Sequence, residues 1–256
     1  MVDDLLLIER EGPVTICHLD KPPANAIDLP FAGGLESRFS EVLASDDLGA
    51  IVLTGKGNFF CGGLDLKAVP AYGPEEQRAL INTVNRMVAK LYGCPVPVVA
   101  AVNGHAIAGG LVLALTSDYR VGTRAPCMLG LTEARVGIPF PAGPLAVLKA
   151  ELAPPVLRVL MLEARNIGSE DALEKGILDE LQAPEHVLPR AIEIAADLAS
   201  IPREAYRVIK DQLRGETVAA IRSVSETGSD PMLSAWIAPG SPDRAAAHLR
   251  GGRAGA

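Results

Sequence analysis

A chain of 256 residues, 48% of them hydrophobic, is long enough for one large domain with a substantial core. With only 4% aromatic residues, that core must be aliphatic and alanine-rich. A formal net charge of −7 excludes nucleic acid as the main partner, because phosphate recognition wants a basic surface.

Cys17, Cys61, Cys94 and Cys127 stand singly, without metal-ligand spacing, and read as reduced thiols. The acidic start Met1-Val2-Asp3-Asp4 has no leader character, and no apolar run approaches spanning length. The expectation is a soluble cytoplasmic protein without a membrane segment.

Two short β-type runs come first, Leu5 to Glu9 and Val14 to Leu19, parted by the turn signal Glu11-Gly12-Pro13. Residues 20–28 are irregular, since Pro22 and Pro23 block regular pairing. A helix is expected from Pro30 to Leu43, and Ala50 to Thr54 reads as a buried parallel strand ended by Gly55. A Gly62-Gly63 loop, a helix from Pro74 to Leu91 and a second buried strand, Val96 to Val102, follow. The chain then enters a helix at Gly109 and leaves through a strand at Tyr119 to Gly122.

Strands alternating with helices argue an α/β architecture. Beyond Gly143 the β signal fades into helical stretches, 144–149, 155–163, 169–175, 188–199, 203–213 and 217–236. Ser169-Glu170-Asp171 starts one of them well, with acids at the positive end of the dipole. No internal repeat is visible. The division read from this pattern is an α/β core over residues 1–195 and a helical C-terminal region over 196–256, ending in a flexible tail.

Chemistry concentrates in two glycine pairs and one acid. Gly109-Gly110 follows a strand and opens a helix, which leaves backbone N–H groups free and lets a ligand approach the main chain. Gly62-Gly63 stands in a similar setting. An isolated Gly-Gly is more often tight packing or a turn, but both pairs should lie at carboxyl ends of strands, where ligands of open α/β sheets gather.

Glu133 lies in the apolar run 128–138. On local sequence a surface role or pairing with Arg135 is the commoner outcome; apolar flanks would instead raise its pKa into the range of a general base. His105 reads as structural, and Asp65 as the cap of a short helix.

Four blocks, Ala24-Asn25-Ala26-Ile27, Phe60 to Lys67, Val102 to Gly110 and Thr132 to Pro139, fall in the order and spacing of the crotonase superfamily. The chain thus resembles the enoyl-CoA hydratase/isomerase group from about residue 5 to residue 235. The resemblance implies a crotonase-like (ClpP/crotonase) spiral of ββα units with a helical trimerisation region. It implies an acyl-CoA thioester substrate, with coenzyme A arriving as part of that substrate and no separate cofactor or metal. It places the oxyanion hole on the N–H groups of Leu64 and Gly109, with Glu133 as the catalytic acid and base.

Substrate contacts are implied along Pro23, Ala24 and Ala26, along Gly62, Asp65, Leu66 and Lys67, and at Gly110 and Val112. Hydratases of the family carry a glutamate where Val112 stands, to hold water opposite Glu133. With valine there, the chain looks most like the Δ3,Δ2-enoyl-CoA isomerases, single-carboxylate enzymes that shift a double bond. A hydratase with a second acid from Asp65, Glu75 or Glu76, and a silent acyl-CoA-binding relative, remain the alternatives. Leu64, Leu111, Val112 and Leu131 are expected to line an apolar acyl pocket. A homotrimer or a dimer of trimers is the implied assembly.

Overall fold

The computed structural model describes residues 5–233 and residue 247; the end of the helix expected over 217–236 and the expected tail lie outside these. Residues Leu6–Glu11 (β1) and Val14–Leu19 (β2) form an antiparallel hairpin, and Leu29–Leu43 is the first helix, α1. Asp28 caps α1 by accepting a hydrogen bond from the Phe31 N–H at 2.9 Å.

Three successive units of the same shape follow. Each has a long strand, a short strand and a helix: Ala50–Gly55 (β3), Phe59–Cys61 (β4) and Pro74–Tyr92 (α2); Val98–Val102 (β5), His105–Ile107 (β6) and Gly109–Leu115 (α3); Tyr119–Thr123 (β7), Leu129–Gly130 (β8) and Glu133–Val136 (α4). The long strands join a six-stranded sheet of order β1-β2-β3-β5-β7-β10, where β10 is Glu180–Gln182. The short strands join a four-stranded sheet of order β4-β6-β8-β9, where β9 is Asn166–Ile167. β4, β6 and β8 pair in parallel, so their carboxyl ends lie side by side.

A structural repeat therefore exists where the sequence reads as unrepeated. The units keep a common path through the two sheets without keeping common residues. The β signal does not end at Gly143 either, because β9 and β10 each close a sheet edge.

After α4 come Ala142–Glu151 (α5), Pro154–Arg158 (α6), a five-residue π turn, Ser169–Glu174 (α7), Val187–Ala199 (α8) and Arg203–Thr227 (α9). Val187, Ala191 and Ala195 of α8 pack on Val14, Val52 and Val99 of the large sheet, a second core layer. The two helices read at 203–213 and 217–236 are one continuous helix through Gly215; its Val218 and Ile221 enter the main core. No described helix is long and apolar enough to cross a membrane.

Candidate active site

The three short parallel strands deliver three groups to one place. Leu64 follows β4, Gly109 follows β6 and Glu133 follows β8, each within three residues of its strand's end. Equivalent points of three stacked units thus meet at the carboxyl edge of the small sheet, where ligands of α/β folds gather.

Two loops are pressed together to do this. Gly63 takes a left-handed φ of +78°, and a β-carbon on it would lie 2.8 Å from the Ala108 β-carbon and 3.1 Å from the Gly109 nitrogen. Only glycine permits that approach. Ala108 itself is held at φ 54°, with its N–H donating to the Gly130 carbonyl at 2.7 Å. A non-glycine residue at positive φ costs about 1–2 kcal/mol, strain stored at the turn that aims the next amide.

Neither key amide is used by the fold. Ile27 donates to the Gly63 carbonyl at 2.7 Å, and Asp65 donates to the Ile27 carbonyl at 2.8 Å. That parallel bridge turns the Leu64 N–H to the opposite side. The Gly109 N–H is the first of a helix and has no carbonyl one turn back to receive it. Among the described residues both donors are left without a backbone acceptor.

Glu133 opens α4, which Gly137 closes in the left-handed conformation at φ 71°. The residue is 8% exposed, and its Oε2 is buried without a hydrogen-bond partner. Burial pushes its carboxyl up to about 8. Arg135 does not pair with it. The guanidinium donates to the Ala164 and Glu163 carbonyls, so neither the expected surface acid nor Glu133 receives that charge.

Leu64, Gly109, Val112 and Glu133 line one cavity of about 40 Å³, in which Glu133 is the sole ionisable residue among those described. The remaining wall is apolar and includes Ile27, Met87, Ile138, Phe140 and Pro144. These were not among the site residues expected from sequence; Ile27 and Ile138 lie within the family-like blocks, but nothing local marks Met87 of α2 as lining a site. Of the four expected pocket residues, Leu64 and Val112 line the cavity, whereas Leu111 and Leu131 are fully buried in the core behind it.

The second-acid candidates are engaged elsewhere. Asp65 Oδ1 accepts from the Lys67 N–H at 3.0 Å, capping a turn and not the expected short helix, whose cap is Ala68, and its Oδ2 lies 3.4 Å from Lys21 Nζ. Glu76 accepts from the Gly73 N–H at the start of α2, and Glu75 is exposed. His105 is structural: its Nδ1 accepts from the Met128 N–H at 3.1 Å and its ring lies 4.7 Å from that of Phe59.

The remaining substrate-contact candidates divide into two groups. Gly62 donates to the Ala24 carbonyl at 2.8 Å and Lys21 reaches the Ala26 carbonyl at 2.7 Å. The 23–27 and 62–67 segments therefore run beside each other, leaving Pro23 and Lys67 exposed and Leu66 half-buried. Buried Asn25 fixes this pairing by donating to the Phe59 carbonyl at 2.9 Å, a role the sequence did not reveal. Gly110 does not line the cavity. A β-carbon there would fall 2.0 Å from the Cys61 carbonyl oxygen, so it is a packing glycine between α3 and β4.

Residues 9–232 match the family model described as enoyl-CoA hydratase/isomerase. The chain belongs to that family. Its sequence is 30% identical to a putative enoyl-CoA hydratase/isomerase of Bacillus subtilis, over 82% of this chain and 81% of the relative. It is 30% identical to a carnitinyl-CoA dehydratase of Salmonella arizonae, over 83% of this chain and 81% of that protein. The fold matches human mitochondrial Δ3,Δ2-enoyl-CoA isomerase with a TM-score of 0.90, 23% identity and coverage of 97% and 98% of the two chains. The enoyl-CoA hydratase/isomerase family, and with it the crotonase fold, is therefore where this acyl-CoA enzyme sits.

Proposed function

We propose that this family member shifts the double bond of an enoyl-CoA from the β,γ to the α,β position, within fatty acid or related acyl-CoA metabolism. The observation carrying the reading is a single cavity lined by Glu133, whose Oε2 is buried without a partner, and by Leu64 and Gly109, whose amides donate to no backbone carbonyl among the described residues. In the reaction Glu133 removes a proton from C2, and the C–H electrons move to the thioester oxygen as a dienolate. The Leu64 and Gly109 N–H groups stabilise that oxygen. The same carboxyl returns the proton to C4, the C3–C4 double bond becomes C2–C3, and the oxygen's charge collapses back.

Two physical features favour this over water addition. A 1,3-shift is served by a single group that accepts and returns a proton, and a carboxyl near 8 is poised for both. Hydration needs a second group to hold water, and Val112, 2% exposed, offers none.

On this reading coenzyme A lies along Pro23, Ala24, Ala26, Gly62, Leu66 and Lys67 as part of the substrate. The apolar outer face of α9, with Ile209 63% exposed and Leu213 79% exposed, is assigned to packing in a cytoplasmic trimer or dimer of trimers. The decisive test follows C2 proton exchange of a β,γ-enoyl-CoA in heavy water, with wild type and Glu133→Gln. Exchange must vanish in the variant. Robust hydration of crotonyl-CoA by the wild type, or tight acyl-CoA binding without turnover of any enoyl isomer, would overturn the reading.

A further inference from the structure

The wall that closes the acyl cavity is thin on one side. Ile138, Pro139 and Phe140 line the cavity of about 40 Å³ and also line an outer apolar cleft of about 490 Å³. That cleft continues over Leu145, Met161 and Leu162, the last 77% exposed. The cavity is also lined by Met87 of α2, itself 1% exposed and packed into the main core. A growing acyl chain therefore meets packed core at Met87 and a partition with an outer cleft behind it at residues 138–140.

Volume fixes what fits. A water-sized group needs about 10–15 Å³ on this measure, so the cavity takes about three such groups. With the thioester oxygen at Leu64 and Gly109, that space admits only a few acyl carbons. Ile138 is 3% exposed and belongs to the core cluster, whereas Phe140 is only half-buried and packs on that cluster from outside. Its ring is the largest half-buried part of the partition, with the outer cleft behind it.

The geometry points to Phe140 as the residue that sets acyl-chain length, restricting the protein to short enoyl-CoA substrates of about four to six carbons. The inference rests on the acyl-CoA reading above. It does not depend on the isomerase chemistry. Each additional buried methylene is worth about fourfold in affinity. A closed partition forfeits that gain, and an opened one recovers it in the outer cleft.

The test is calorimetric binding of butanoyl-, hexanoyl- and decanoyl-CoA to the full chain. Wild-type affinity should stop rising at six carbons. Phe140→Ala should raise the ratio of ten-carbon to four-carbon affinity at least tenfold, and Phe140→Leu, a milder change, at least threefold. Wild-type affinity that climbs steadily through ten carbons overturns the inference. So does a recovered ten-carbon affinity in Met87→Ala but not in the Phe140 variants, and so does failure to bind any acyl-CoA. A length limit relieved by Phe140→Ala, in a protein that turns over no β,γ-enoyl-CoA, supports the inference and sinks only the isomerase reading.

Discussion

Two carboxylates, half-buried Asp118 with 13% of its side chain exposed and buried Glu133, sit near opposite ends of α3 and have been treated in opposite ways. Asp118, past its C-terminal end, has Lys210 Nζ at 2.6 Å and Arg214 Nη1 at 2.9 Å, and accepts the Val98 N–H at 2.8 Å. Arg214 also donates to the Thr116 and Ser117 carbonyls and lies 3.1 Å from Glu151. Glu133, in the cavity beside the N-terminal end, has an oxygen with no partner at all, although Arg135 stands two residues away. Both are largely shielded from water; only Asp118 is compensated. A desolvated acid with its cations in place fastens α9 to the body. One whose nearby cation is committed to carbonyls keeps its proton at neutral pH and is free to exchange it.

The comparison breaks most sharply at Glu133. Glu133→Gln keeps the shape and removes the exchangeable proton, so isomerisation should fall by about 10³-fold or more while the far-ultraviolet circular dichroism stays native. Residual activity within tenfold of wild type would make Glu133 a buried acid of the fold and not the base. Asp118→Ala tests the other end. It strands buried Lys210 and leaves Arg214 only Glu151, and losing one partner of such a network costs about 3–5 kcal/mol, read as a lower denaturant midpoint. A loss under about 1 kcal/mol would mean that Lys210 and Arg214 find water once freed.

How much of this was legible beforehand follows from element length. The Val14–Leu19 and Ala50–Gly55 strands announce themselves because six buried residues in a row leave an unmistakable pattern. The strands that build the site, Phe59–Cys61, His105–Ile107 and Leu129–Gly130, are two or three residues long, below the length at which any period can be read. They exist through pairing with one another, which also hides the repeat. Gly215 suggested a break in a helix that tertiary packing carries straight through.

At the site, the glycine pairs looked alike in sequence. Their division of labour, with Gly63 permitting close approach and Gly110 permitting packing, depends on what a β-carbon would strike. The burial of Glu133 could not be decided from its flanks either, because the fate of Arg135 is set by carbonyls about thirty residues downstream.

The pH dependence sharpens the contrast in two observables at once. With its carboxyl near 8, Glu133 is about one-tenth ionised at pH 7, so kcat/KM should rise about fivefold between pH 7 and 8 and level off above 9. Stability runs the other way. The folded-state value lies above the ordinary 4.5, so this residue's contribution is fully present below that value and is lost as pH climbs towards 8. Glu133→Gln should therefore be more stable than wild type above pH 8, by an amount on the order of a few kcal/mol, and close to it at pH 4.5. A wild-type profile that is flat from pH 6 to 9 in both rate and melting temperature would remove the desolvated acid from the mechanism.

The smallest effect belongs to the amides, where a side chain can be added without removing the donor. A β-carbon at Gly109 would lie 3.5 Å from Ile27 Cδ1 and 3.6 Å from Gly63 Cα, ordinary contacts in the cavity wall. Gly109→Ala should fold normally and lower kcat/KM by less than about tenfold, because the N–H survives and only the acyl group is crowded; loss of a donor costs about 10²–10³-fold. The crowding should fall on KM more than on kcat, since a methyl in the wall opposes ground and transition states alike. A drop of 10²-fold confined to kcat would instead show that the amide had been turned away from the developing oxyanion, making the Ala108 turn, strained at φ 54°, the more delicate half of the machinery.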